Sequence, residues 1–277
     1  MGWRLLLYAG FWLTLEFVGK ILVLQIGAFG LNPFSPQSVL LSEFVDFAAS
    51  YAAAFLMARL ERRSVNVYGL PIRQAFGRFF WLGILLGLGE VSLLMALITA
   101  FGGYSFGNLA VHGARLLGWG LVWAVAFVFV GLAEEFLFRG YTQYTLARGI
   151  GFWPAALALS LVFGVAHQWN PGEGTMGLLN IVVTGAVFAF ALRRTGNLWL
   201  AVGWHASFDF GETFLFSVPN SGLVMEHHLS NAALHGSVWL TGGTVGPEGS
   251  VFSFLTMGIS ALAIHFLFPA RKESSER

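Results

Sequence analysis

Apolar runs of about 20 residues recur along the whole chain, each long enough to cross about 30 Å of hydrocarbon. Eight segments emerge: about 3–31, 39–58, 79–101, 119–147, 154–169, 177–193, 198–218 and 251–268. Short stretches rich in Gly, Pro and Asn separate them, among them "LNPFSP" (31–36), "RGIGFWP" (148–154) and "WNPGEG" (169–174). The pattern predicts an all-α, polytopic integral membrane protein with eight transmembrane helices in a single membrane domain over 1–277. Within it, 1–118 holds the N-terminal helices and a basic loop, and 119–218 a core rich in buried ionisable groups. Residues 219–250 form a long loop, and 251–277 the last helix and tail. The first run is too long for a signal-peptide apolar region and has no small-residue cleavage site, so a retained helix is expected. "MGWRLL" starts like a myristoylation site but has Leu6 where Ser or Thr is needed.

Composition agrees with the pattern. Of 277 residues, 56% are hydrophobic and 10% charged, whereas a soluble domain carries about 25% charged residues. Trp3, Trp119, Trp153 and Trp199 stand near the ends of apolar runs, where interfacial anchors are expected. With no cysteine, disulfides, thiolate metal sites and cysteine nucleophiles are excluded. The net charge of +1 says nothing about partners, but the sequence offers no basic patch for nucleic acid, and none is expected as a partner.

Charge placement predicts orientation. Residues 59–78 carry Arg59, Arg62, Arg63, Arg73 and Arg78, while 219–250 carry no Lys or Arg. With eight alternating helices and the 59–78 loop in the cytoplasm, Arg4, Arg148, Arg193, Arg194, Arg271, Lys272 and Arg277 also fall inside. Only Arg115 falls outside, and Lys20 and Arg139 lie within spans. Both termini are then cytoplasmic and 219–250 is external. The expected location is the plasma (inner) membrane of a prokaryote.

Ionisable groups inside a bilayer cost roughly 2.5–3.5 kcal/mol each on insertion scales, so each needs a reason. Glu16 and Lys20, spaced i,i+4, neutralise each other. Glu90 and His265 read as packing hydrogen bonds. The rest are denser. In "EEFLFR" (134–139), Arg139 lies about 40° around the helix from Glu135 and about 140° from Glu134, at ~100° per residue. One carboxylate is paired and the other left available. "FGVAH" (163–167) puts Phe163 and His167 on one face, and "HASFDFGE" (205–212) stacks His205, Asp209 and Glu212 in one stripe. Counted along their helices, Glu134, His167, His205 and Asp209 fall in one layer below the cytoplasmic surface. The three histidines His227, His228 and His235 read as solvated loop residues, and the 219–250 loop as a cap.

These motifs, E-E-x-x-x-R, F-x-x-x-H and H-x-x-x-N/D in order on three helices, resemble the CAAX-protease and bacteriocin-processing (CPBP or Abi) family of intramembrane proteases. That family includes the type II CAAX prenyl endopeptidase. The upstream arginines followed by "YGL" (68–70) look like the family's upstream region. The resemblance implies hydrolysis of a peptide bond in a membrane-associated protein or peptide, of which a prenylated CAAX protein is one option. It implies Glu134 as general base sharing its water with His167, His205 and residue 209 as oxyanion stabilisers, and Glu135 and Arg139 as support. Asp209 departs from the asparagine of the pattern: a carboxylate cannot donate to an oxyanion, so Asp209 is expected to orient His205. No cofactor is favoured. The alternative is a Zn²⁺ held by His167, His205, Glu134 and Asp209, although no H-E-x-x-H pair is present. Other readings are a proton-coupled transporter, a catalytically silent immunity or adaptor member, and a buried polar network that only packs the bundle.

Overall fold

The computed structural model describes residues 1–25 and 31–269. The end of the first expected helix (26–30) and the tail cations Arg271, Lys272 and Arg277 lie outside the described residues. The fold is all-α. Its helices are α1 (Gly2–Gln25), α2 (Pro36–Leu60), α3 (Arg78–Ala100), α4 (Ala114–Glu135), α5 (Gln143–Ile150), α6 (Phe152–His167), α7 (Thr175–Thr195), α8 (Trp199–Phe210), α9 (Val238–Thr241) and α10 (Val251–Leu267). Five stretches are long and apolar enough to cross a membrane: α1, α2, α3, α7 and the near-continuous Ala114–Ile150. The apolar helices α6 and α10 are shorter. Large side chains such as Leu6, Leu85, Leu117 and Phe266 are at least two-thirds exposed. Such a surface is stable only against hydrocarbon. The chain is a multi-pass integral membrane protein.

Two of the expected helices are not continuous. Residues Phe136–Thr142 form a π-helical segment between α4 and α5, and Gly140 leaves helical geometry altogether (φ −80°, ψ −115°). Residues Gly211–Leu215 form a second π segment after α8. Periodicity alone does not reveal either, because five-residue hydrogen bonding changes the angular step without changing the apolar character of the residues.

Connections gather at two ends. At one, Leu198 N donates to Gly69 O (2.7 Å), Trp199 Nε1 to Pro71 O (3.1 Å) and Tyr141 to Glu61 (2.8 Å). Glu61 also lies 3.7 Å from Arg4. This end, the basic end, carries Arg59, Arg62, Arg63, Arg73, Arg148, Arg193 and Arg194. At the other, Glu226 N donates to Phe34 O (3.0 Å), Ala110 N to Leu229 O (2.9 Å) and Gly172 N to Gly222 O (3.0 Å). A two-stranded antiparallel ribbon, β1 (Tyr104–Ser105) with β2 (Ala233–Leu234), completes this loop-rich end. Residues 219–250 thus form a folded cap. Trp199 is buried and hydrogen-bonded rather than an interfacial anchor. The loop histidines are also engaged. His227 stacks on Trp119 (3.9 Å), His228 Nδ1 bonds Ser230 O, and His235 Nε2 bonds Ser105.

α8 is short and buried on every side, and it packs face to face on α3. In a membrane, helices associate through close backbone approach rather than a hydrophobic driving force. A Cβ at Gly83 would stand 2.2 Å from Leu200 O, and one at Gly203 2.2 Å from Phe80 O. Both obstacles are backbone and cannot step aside. Beneath, Tyr8, Met57, Tyr68, Leu70, Phe80, Leu132, Phe136, Tyr141, Leu198 and Val202 form one core at the basic end.

Gly203→Val is expected to destabilise the bundle by about 3 kcal/mol or more, above the usual range for overpacking. Thermal unfolding in detergent checks this; an unchanged midpoint would refute the close approach.

Candidate active site

The site is built where α4 ends. Glu134 and Glu135 occupy its last turn, and the π segment that follows widens the helix so that Arg139 turns back under Glu135. Arg139 Nη1 lies 3.1 Å from Glu135 Oε1, with both side chains essentially excluded from solvent. The guanidinium lies over Phe163 at 4.4 Å, which offers its charge a π face where water is absent. As expected from spacing, Glu135 is the paired carboxylate. Glu134 points elsewhere, a quarter exposed into a cavity, and its Oε2 has no hydrogen-bond partner.

His167 comes from the last residue of α6. Its Nδ1 is 2.9 Å from Phe163 O. A carbonyl only accepts, so Nδ1 carries the proton; in the neutral ring Nε2 is then a lone-pair acceptor. That Nε2 lies 3.8 Å from Glu134 Oε1. His205, from α8, places Nε2 3.6 Å from Glu134 Oε2 and 3.5 Å from Asp209 Oδ2, and Nδ1 3.1 Å from Glu135 Oε1. The three motifs therefore meet.

Two expectations need correction. Asp209 does not stand behind His205 as its orienting partner. Glu135 does that from the Nδ1 side, while Asp209 faces the same nitrogen as Glu134. The stripe also breaks at its third member. Glu212 falls on the second π segment, is fully buried with neither carboxyl oxygen partnered, and does not line the cavity. Glu90 and His265 are packing groups as read from sequence. Glu90 accepts from Trp204 Nε1 (2.7 Å) and Ser260 (3.1 Å), and His265 meets Arg194 (2.6 Å).

The cavity, about 680 Å³, is lined by Glu134, His167, His205 and Asp209 together with Phe127, Phe138, Phe163 and Phe188. Sequence reasoning missed Glu43 and Asp46 of α2 and Glu248 of the cap, which also line it. Glu43 and Asp46 were visible as carboxylates one turn apart in an apolar run. Nothing local marks Glu248, which burial pushes above the usual carboxylate range although Ser221 donates to it twice. Lys20 pairs with Glu16 at 2.7 Å, as expected, and also bridges to Asp46 at 3.1 Å.

The donor set bears on zinc. Among the described residues, no group of three or more His, Asp or Glu side chains is arranged to hold a metal ion.

Residues 117–211, about a third of the chain, match the family described as type II CAAX prenyl endopeptidase Rce1-like. The match supports membership of the CAAX-protease family. It spans all three motifs and the two helices that bear His167 and His205. No curated protein matches the chain.

Arg139→Ala leaves the Glu135 carboxylate buried without its cation, a change that typically costs 3–5 kcal/mol. The expected result is a large fall in thermal midpoint, partly recovered by adding Glu135→Gln. If Arg139→Ala unfolds at the wild-type temperature, the ion pair is not structural.

Proposed function

We propose that this protein is an intramembrane endopeptidase in which Glu134 activates a water against a peptide bond of a membrane-associated protein. The observation that carries this is a Glu134 carboxylate set between two imidazoles on a cavity wall, its Oε1 3.8 Å from His167 Nε2 and its otherwise unpartnered Oε2 3.6 Å from His205 Nε2. Those distances are too long for direct hydrogen bonds, but a water about 2.8 Å from both Glu134 and His167 fits above the 3.8 Å edge. It donates one hydrogen to Glu134 and the other to the His167 Nε2 lone pair, leaving its own lone pair toward the substrate.

In the proposed reaction Glu134 takes the proton as the water oxygen bonds to the scissile carbonyl carbon. His205, with both nitrogens protonated, donates Nδ1–H to Glu135 and Nε2–H to the developing oxyanion. When the tetrahedral intermediate collapses, Glu134 returns the proton to the leaving nitrogen and the C–N bond breaks; the new carboxylic acid passes the water's remaining proton to the amine, and a carboxylate and an ammonium are released. Asp209 holds charge balance beside His205. Arg139, through Glu135, fixes the ring.

The finer topology belongs to the same reading: eight spans, both termini cytoplasmic, a catalytic core over 119–218 and an external cap over 219–250. The bilayer is a prokaryotic plasma membrane. The substrate class is a membrane-associated protein or peptide, of which a prenylated CAAX protein is one option.

Glu134→Gln is expected to lower hydrolysis by at least about 10²-fold, as for loss of a general base, with unaltered gel-filtration behaviour in detergent. Comparison of membrane peptidomes between wild type and Glu134→Gln identifies the products. Full turnover in the variant would end the assignment. Exhaustive chelation is expected to leave activity intact, with metal content well below one per chain; parallel loss of metal and activity would instead establish zinc.

A further inference from the structure

The cavity has a sidedness. Its lining includes Phe34, Asn170, Asn220, Ser221, Met225 and Glu248, all from the loop-rich end. No residue of the loops at the basic end, 61–77, 144–151 or 193–198, lines it. Between the catalytic groups and those loops stands packed core. Phe136 and Tyr141 from the π segment, Met57 from α2, Tyr68 and Leu70 from the arginine-rich loop, and Leu198 are all at most 2% exposed and mutually packed. The Glu135–Arg139 pair and the rings of Phe163 and Phe188 close the remaining floor.

Depth is consistent with this. Trp123 marks the loop-rich end on α4 by donating to Glu226 O at 3.1 Å. Glu134 lies about 16 Å further along, and Asp46 lies about 21 Å from the basic end of α2, at ~1.5 Å per residue. The site is near mid-bundle, with its free volume on the loop-rich side. Charge then says which face this is. The basic end holds nearly every Arg of the described residues, and the loop-rich end holds Arg115. Positively charged loops stay in the cytoplasm.

We infer that substrate reaches Glu134 from the membrane face opposite the arginine-rich loops. The scissile bond then belongs to an extracytoplasmic juxtamembrane segment of an exported or membrane-anchored protein. This rests on the proteolytic reading and narrows it. A CAAX tail offered from the cytoplasm would meet the packed floor of Tyr68, Phe136 and Tyr141. A chain entering from the loop-rich side meets an open cavity with aromatic walls and the water position at its base.

The absence of cysteine permits a direct test. Single variants Met225→Cys and Ala166→Cys, both on the cavity wall, and Val67→Cys in the arginine-rich loop are labelled with a membrane-impermeant maleimide in sealed vesicles of each orientation. The expected result is that Met225→Cys and Ala166→Cys react from one face and Val67→Cys only from the other, which is the cytoplasmic face. Ala166→Cys reacting from the Val67 face, or from neither, would overturn the inference, as would an extracytoplasmic Val67. A parallel arm anchors a reporter peptide on either face; at least tenfold faster Glu134-dependent cleavage is expected on the Met225 face, and the reverse preference would also overturn it. Absence of Glu134-dependent cleavage on both faces and in detergent would instead defeat the protease assignment, while the labelling still reports access.

Discussion

One buried carboxylate organises this molecule. Glu135 Oε1 is shared between the Arg139 guanidinium and His205 Nδ1, each at 3.1 Å, with no solvent exposure at the carboxylate. Charge at that depth is tolerable only when paired. The pairing reaches across three elements: the end of α4, the π segment and the middle of α8. It decides where Glu134 points, because adjacent residues on a helical turn cannot face the same way. The same bonds that make the bundle tolerable in lipid therefore engage one carboxylate and leave its neighbour facing the cavity.

The helical arrangement serves that constraint. α8 is short and surrounded, and the glycines at 83 and 203 let α3 come within backbone distance of it. A helix locked on that side presents His205 and Asp209 at a fixed height on the other. α6 packs on α7 and on the π segment rather than broadly on α2 or α4, which leaves the cavity between them. The π segments occur where the polar residues need a different angular step, one beneath Glu135 and one after Asp209. Glu212, on the second π segment, is buried away from the cavity that His205 and Asp209 line.

Much of this could be read from the chain. The apolar runs, the loop positions, the unequal roles of Glu134 and Glu135, and the packing roles of Glu90 and His265 all follow from local composition and helical spacing. Asp209 and Glu212 were less legible. Their spacing to His205 is regular, but their roles depend on what α4 brings to the facing side. Trp199 reads as an interfacial anchor from its position at the end of a run, yet the arginine-rich loop folds over it and takes its N–H at Pro71 O. The loop histidines likewise find partners on segments more than a hundred residues away, or beside them in the folded cap.

By itself the sequence determined that the protein is helical and membrane-embedded, that its cations lie toward one end, and which motif-borne carboxylates and imidazoles are the candidates for a shared site. Those properties depend on residue identity and on neighbours within a few positions, which a linear pattern records. Only the tertiary structure decided that Glu135 rather than Asp209 holds His205, that Glu43, Asp46 and Glu248 share the cavity, and which end of the bundle the cavity faces. These depend on distances between separate helices, set by how closely backbones approach and where a helix departs from its regular turn.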